Sequence, residues 1–406
     1  RSGGQAGRPG QYGQAGQYSP LAFGGLLNGR RESMTTRAGN SAGTFIAGGL
    51  KNLITPVIAI ILALILGAAA IALMGLSPLK AYQSLLQGAL GSTNGIGETL
   101  VKATPLIFTG LSFALAKKGG LINIGAEGQL YLGGLCSVIV GIAFKGLPIF
   151  IHLPLAILAG FIGGGLLGLL SGWLKIRFGA SEIITTVMLN YVAQYFVSYM
   201  VNGPLIEPPG NFPQSPPVAA AAQLPIILAG TRLHLGFIIA LLVILAYYVF
   251  LWRTNTGYEI RVVGQNPQAA AYAGMNARRD TLLVMFLAGG LGGLAGVGEI
   301  LGIQHRLFQN FSPGYGFDGI AVALLGYNTP VGILLAAILF GILRAGGNMM
   351  QMMANVPVAV VYIIQAFVII FVAAEALLRR WQGKRRAARR ATGSAVLTAE
   401  GVSKNG

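Results

Sequence analysis

An acid and two amides, Glu127, Asn123 and Gln129, stand close together in a stretch that is otherwise glycine and apolar residues. A second pair of amides, Asn190 and Gln194, lies four residues apart in another apolar run. A charge at mid-bilayer costs about 2.5 to 3.5 kcal/mol, so such groups are spent where they line a route, hold helices together or cap a helix end. Asn123, Glu127 and Gln129 fit two of these. They can line a translocation pathway, or Asn123 can cap a helix and Glu127 sit in its first turn near Lys117 and Lys118. Around Asn190 and Gln194, Tyr191, Tyr195 and Tyr199 form an adjacent stripe with the same helical spacing. That flank offers amide hydrogen bonds beside aromatic faces, on which a nucleoside base or a sugar ring can stack. Helix packing is the alternative for the two amides. An interfacial aromatic belt is the alternative for the tyrosines, although Tyr191 falls near mid-span, where a belt does not.

Other chemistries are excluded. No lysine is followed by Ser or Thr, so no GxxxxGK[ST] loop cradles a nucleotide phosphate. His152, His234 and His305 are scattered without HExxH spacing, which removes the common zinc arrangement. The single Cys136 lies in an apolar run and cannot form an internal disulfide. No catalytic residue, metal site or bound cofactor is expected.

The elements that must position these groups follow from composition. Apolar residues make up 54% of the 406 positions and charged residues 10%, against about 25% charged in a soluble domain. The expected fold is all-α, a polytopic transmembrane helical bundle. Runs of about 20 apolar residues, the length that crosses a bilayer, lie near 53–74, 99–116, 125–144, 149–172, 182–201, 234–252, 281–301, 317–343 and 356–378. Nine crossings from an inside N-terminus would leave the tail RRWQGKRRAARR on the side opposite the other Lys/Arg clusters, against the positive-inside rule. Asn328-Thr329-Pro330 resolves this by splitting 317–343 into a short half-helix and a longer span. Ten spans put both termini in the cytoplasm and leave Lys80, Lys145, Arg232, Arg306 and Arg344 outside. Glycines at 160, 163–165 and 168, and at 289, 290, 292, 293, 296 and 298, predict close helix packing. Glu299 and Asp318, flanking the loop with His305 and Arg306, can pair with one another or receive a docking protein. The loop 202–231, with seven prolines, reads as a semi-rigid outer cap.

Residues 1–50, rich in Gly, Gln, Ser and Arg, are expected to be a disordered extension, and the missing initial Met suggests a fragment or processed start. Residues 51–380 form the transmembrane domain. The basic tail 381–406 is expected to meet anionic lipid headgroups; nucleic acid is not expected. Between two apolar runs, residues 253–280 are too polar to stay in the bilayer. Within them Asn266 can cap a helix with Pro267 at its first position, and Gln268 to Met275 is Ala-rich, which predicts a short surface helix.

Four stretches carry a resemblance. Thr256-Gly257, Glu259, Arg261, Gly264-Gln265-Asn266-Pro267, Ala269-Ala270 and Tyr272-Ala273-Gly274 resemble the cytoplasmic loop of bacterial ABC importer permeases for branched-chain amino acids, ribose, simple sugars and nucleosides. The stretches 120–129, 181–191 and 316–326 are similar to signatures of the same family, so the resemblance covers roughly residues 50 to 380. It is nearest the nucleoside and simple-sugar branch. The resemblance implies a permease subunit in the inner membrane, paired with a second permease. ATP and Mg would sit on a separate ATPase, and an extracytoplasmic binding protein would deliver substrate. It also implies that 253–280 couples to the ATPase, with Ala269, Ala270, Ala273 and Gly274 allowing close approach and Arg261, Arg278 and Arg279 meeting acidic residues. The runner-up is a self-sufficient ion-coupled secondary transporter, which the Asn328-Thr329-Pro330 break and the buried acids permit, and branched-chain amino acids are the less favoured substrate class.

Overall fold

The computed structural model describes residues 41–372 apart from 145, together with 374, and side chains from residue 57 onward. Two units divide the chain, residues 1–57 and 58–406. In the first, the described residues from Ser41 are helical, so helix α1 (Ser41–Leu73) starts ahead of the expected boundary at 50. The remaining residues expected in the two tails lie outside the described ones.

The second unit is helical throughout its regular structure. Among the described residues only two isolated bridges, Gln214 with Phe308 and Ile226 with His234, are of β type. After α1 come α2 (Pro78–Leu90), α3 (Thr93–Lys118), α4 (Ala126–Ala143), α5 (Ile149–Phe178), α6 (Glu182–Asn202) and α7 (Gly236–Arg253). Two short helices follow, α8 (Asn255–Gln265) and α9 (Pro267–Tyr272), then α10 (Ala277–Glu299), which continues as a π-helical turn through Gln304. Half-helix α11 (Tyr315–Leu325), α12 (Pro330–Ala354) and α13 (Ala359–Val372) complete the bundle. Six of the described helices are long and apolar enough to cross a membrane, and the apolar part of α1, α11 and α13 are shorter.

The break before α12 has the form its residues predict. Tyr327 and Asn328 adopt positive φ, and the Thr329 side chain accepts the Gly332 N–H ahead of Pro330. Helix α2 was not expected, because Lys80, Gln83, Ser84 and Gln87 interrupt its apolar pattern. Ser77 caps it, and its buried stripe Ala81, Leu85 and Ala89 packs on the end of α12.

Helix α3 is the most enclosed, with α10, α11 and α12 packed around it. The interface of α5 with α10 is built on small residues. A Cβ at Gly164 would lie 2.4 Å from the Gly289 carbonyl oxygen, and one at Gly168 would lie 2.1 Å from that of Met285. Only glycine permits backbones this close.

Candidate functional site

Between α3 and α4 the chain leaves helical geometry over Gly119–Gly125, and this short segment is clamped on every side. Asn123 is fully buried. Its amide nitrogen donates to Ser112 Oγ at 3.1 Å and to Gln129 Oε1 at 2.9 Å, while its carbonyl oxygen accepts from Gln129 Nε2 and from Gly125 N–H. Ser112 in turn donates to the Ala288 carbonyl at 2.6 Å, which carries the network into α10. On the other flank Asn190 of α6 accepts the Gly128 N–H at 2.8 Å and donates to the Ile124 carbonyl at 3.0 Å. Every amide in this cluster is spent on another helix or on the segment itself. Half-satisfied polar groups in a dry interior are costly, so full pairing fixes a single arrangement.

The geometry matches the packing reading of these amides. Asn123, Gln129 and Asn190 bind helices together. The helix cap is Gly125, not Asn123, whose side chain is turned into the hub. Glu127 does occupy the first turn of α4. Its carboxylate accepts the Gly316 N–H at 2.6 Å, tying α4 to the start of half-helix α11. The main chains are so close that a Cβ at Gly316 would fall 2.2 Å from the Glu127 nitrogen.

Gln194 and the tyrosines are placed differently. Gln194 donates to Asn310 Oδ1 at 2.9 Å, in the loop between α10 and α11. Tyr191, Tyr195 and Tyr199 are exposed, Tyr195 by 72%, so the aromatic stripe faces outward from the chain. Spacing alone had put Asn190 and Gln194 on one working flank; burial separates them.

Glu299 and Asp318 do not pair with one another, and two ion pairs form near them instead. Asp318 pairs with Arg344, linking α11 to α12, and the guanidinium also lies 4.6 Å from the centre of the Tyr315 ring. Arg306 pairs with Glu207 of the outer loop, which also accepts from Gln214. Glu299 is buried within α10. Arg344, expected in an outer loop, is therefore within a span, where its acid partner makes the charge tolerable. Asp318 and Arg344 stand on opposite sides of the helix break, beyond the reach of any helical spacing rule.

The 253–280 segment has two faces. In α9 Asn266 accepts from the Gln268 and Ala269 N–H groups, both at 3.1 Å, with Pro267 at the first position, as the Asn-Pro pair predicts. Helix α8 is seated backbone to backbone on the turn after α3. A Cβ at Gly264 would lie 2.1 Å from the Lys118 carbonyl oxygen, and Gly120 opposite has φ +76°. Gly257 is buried in the same way against Phe250 and Leu251. Arg261 stacks near the Trp252 and Tyr258 rings, so it is engaged within the chain, whereas Arg278 and Arg279 are exposed. Ala270 is fully buried and drops out of the docking face expected for it. Pro267, Ala269, Tyr272 and Gly274 are exposed, Tyr272 by 95%, and Glu259 is half-buried.

A bundle of apolar helices braced by buried polar pairs, six of them among the described residues long enough to cross a bilayer, defines a multi-pass membrane protein. The family model described as branched-chain amino acid transport system / permease component matches residues 95–373, and the chain belongs to that family. It is 41% identical to the guanosine ABC transporter permease protein NupP of Bacillus subtilis, over 82% of this chain and 97% of that protein. It is 39% identical to the glucose ABC transporter permease protein TsgB13 of Haloferax volcanii, over 81% and 89%. The figure is 36% for the nucleoside ABC transporter permease protein NupB of Lactococcus lactis, over 81% and 92%. The chain is thus an ABC transporter permease, a transport subunit and not an enzyme. A self-sufficient secondary transporter is not favoured.

Proposed function

We propose that this permease moves a nucleoside or simple sugar inward across the bacterial cytoplasmic membrane as half of a permease dimer. A separate ATPase holds ATP and Mg and docks on the exposed side of α9, and an extracytoplasmic binding protein delivers substrate to the opposite face. The names of the relatives support the substrate class. Gln194 and the Tyr191 stripe are the groups that line the route, since Asn123, Glu127, Gln129 and Asn190, the other pathway candidates, are buried.

One observation carries the coupling role. The inner side of α8 rests on Lys118–Gly120 through glycine backbones, while Tyr272 projects almost wholly into solvent. A push on Tyr272 is delivered to the turn at 118–120 without a side chain to absorb it. From that turn the chain runs straight into the Asn123 hub, Glu127 and the start of α11.

The test is Tyr272→Arg in the full transporter. We expect normal membrane insertion, loss of the co-purifying ATPase and loss of ATP-dependent uptake. Retention of both would overturn the coupling reading. Uptake that survives ATP depletion but not collapse of ion gradients would restore the secondary transporter. Thermal-shift screening of the partner binding protein against nucleosides, pentoses and hexoses identifies the substrate.

A further inference from the structure

Where α5 approaches the start of α10, the two helices enclose an open groove of about 330 Å³ lined by Leu166, Leu169, Leu170, Trp173 and Leu282. The lining is apolar, and Leu166, Leu170 and Trp173 are exposed along it. Leu166, Leu170, Trp173 and Arg177 succeed one another at spacings of four, three and four, so they form one face of α5 with the arginine at its end. On α10, Arg278 stands four residues before Leu282, again on the same face and one turn nearer the helix end. Each apolar wall is thus topped by a guanidinium.

Both arginines are exposed and neither enters an ion pair among the described residues, whereas neighbouring Lys175 is held by Glu182 at 2.6 Å. Arg278 and Arg279 occupy the first turn of α10, where the helix dipole disfavours a cation. The one acid of that turn, Asp280, is buried. An external anion at this position would offset the repulsion. The lining residues belong to two candidate spans, with Arg177 in the last turn of α5 and Arg278 in the first turn of α10.

We propose that this groove binds an anionic phospholipid, with one acyl chain along Leu166–Trp173 and the headgroup phosphate at Arg177 and Arg278. The apolar walls match a hydrocarbon chain. Two unpaired guanidinium groups match a phosphate, which they bind in a planar, forked geometry. A zwitterionic lipid fills the same walls but leaves the rim charge uncompensated.

Trp173 reports on the groove directly. The assembled transporter is placed in nanodiscs containing dibrominated phosphatidylglycerol or dibrominated phosphatidylcholine, and the Trp173 signal is isolated by subtraction of a Trp173→Phe variant. The expected result is quenching by phosphatidylglycerol at mole fractions about tenfold lower or more, the order set by two arginines at an anionic surface. Arg177→Gln with Arg278→Gln removes that preference while leaving phosphatidylcholine quenching unchanged, and the corresponding double lysine variant keeps it. Equal quenching by the two lipids in the wild type, or a preference that survives the glutamine variant, overturns the proposal. So does a Trp173 signal that neither lipid reaches, which would mean that another protein surface covers the groove.

Discussion

Glu127 holds the start of a half-helix by a hydrogen bond accepted from Gly316 N–H. A glutamine can accept the same bond through its amide oxygen, whereas alanine leaves a buried N–H unpaired, at about 1 to 3 kcal/mol. Glu127→Gln should therefore transport close to wild type and Glu127→Ala should lose uptake at normal expression, measured in inside-out or whole-cell assays. Wild-type uptake by the alanine variant would remove the bond from the mechanism. A second residue-scale prediction concerns pH. His234, in the loop before α7, has its pKa pushed down to about 4 by burial, with His305 adding to the effect. Gly236 N–H donates to its Nδ1 at 3.1 Å, so that nitrogen is unprotonated in the fold. The folded value lies below the unfolded one of about 6.5, so the unfolded chain binds the proton more readily. Stability is complete above about pH 6.5 and declines toward pH 4 at up to about 1.4 kcal/mol per pH unit. His234→Gln should flatten that acid limb in thermal unfolding curves taken from pH 7.5 to 4.5.

Among the elements, the α5–α10 contact is the one most exposed to a single methyl group. Gly168→Ala places a Cβ against the Met285 carbonyl and should lower stability by about 1 to 3 kcal/mol. Gly298→Ala, with no neighbour nearer than 3.9 Å, should be neutral or slightly stabilising. Equal unfolding midpoints for the two variants in detergent would show that the small-residue contact does not hold the pair. These glycines were legible beforehand because spacing of three and four is itself the signal. The helix break was legible because Asn-Thr-Pro ends a helix wherever it occurs. Helix α2 was not, since its apolar residues are too few for a span and its packing partner, the end of α12, is distant in sequence. The same limit hid the Asp318–Arg344 pair, whose members are 26 residues apart across a break. Hydrogen-bond direction was hidden as well. Spacing put Asn123 and Asn190 among candidate route-lining groups, but only the fold shows that their amides are fully used between helices.

For the whole molecule, crossing number is the property that orders everything else. Between Phe212, in the 202–231 loop, and Tyr272 there is a single candidate span, α7, so the arrangement predicted from charge puts the two positions on opposite sides of the membrane. Both are well exposed. In a Cys136→Ala background, Phe212→Cys should react with an impermeant thiol reagent from outside intact cells, and Tyr272→Cys only after the membrane is opened. Labelling of both from one side would refute the ten-span arrangement. The topology under test is the one charge placement predicts, in which basic clusters at 117–118, 175–177 and 253–279 return to one side on alternate spans.

The glycine seam between α8 and the turn after α3 also separates what can change from what cannot. Gly264 and Gly120 admit no other residue without parting the backbones, while Pro267, Ala269 and Tyr272 are exposed. On the coupling role proposed above, a lineage can exchange its motor by altering a few outward residues and leave the bundle untouched. The same economy gives a rule for building hybrid transporters: graft the outward face of α9, and keep both glycines.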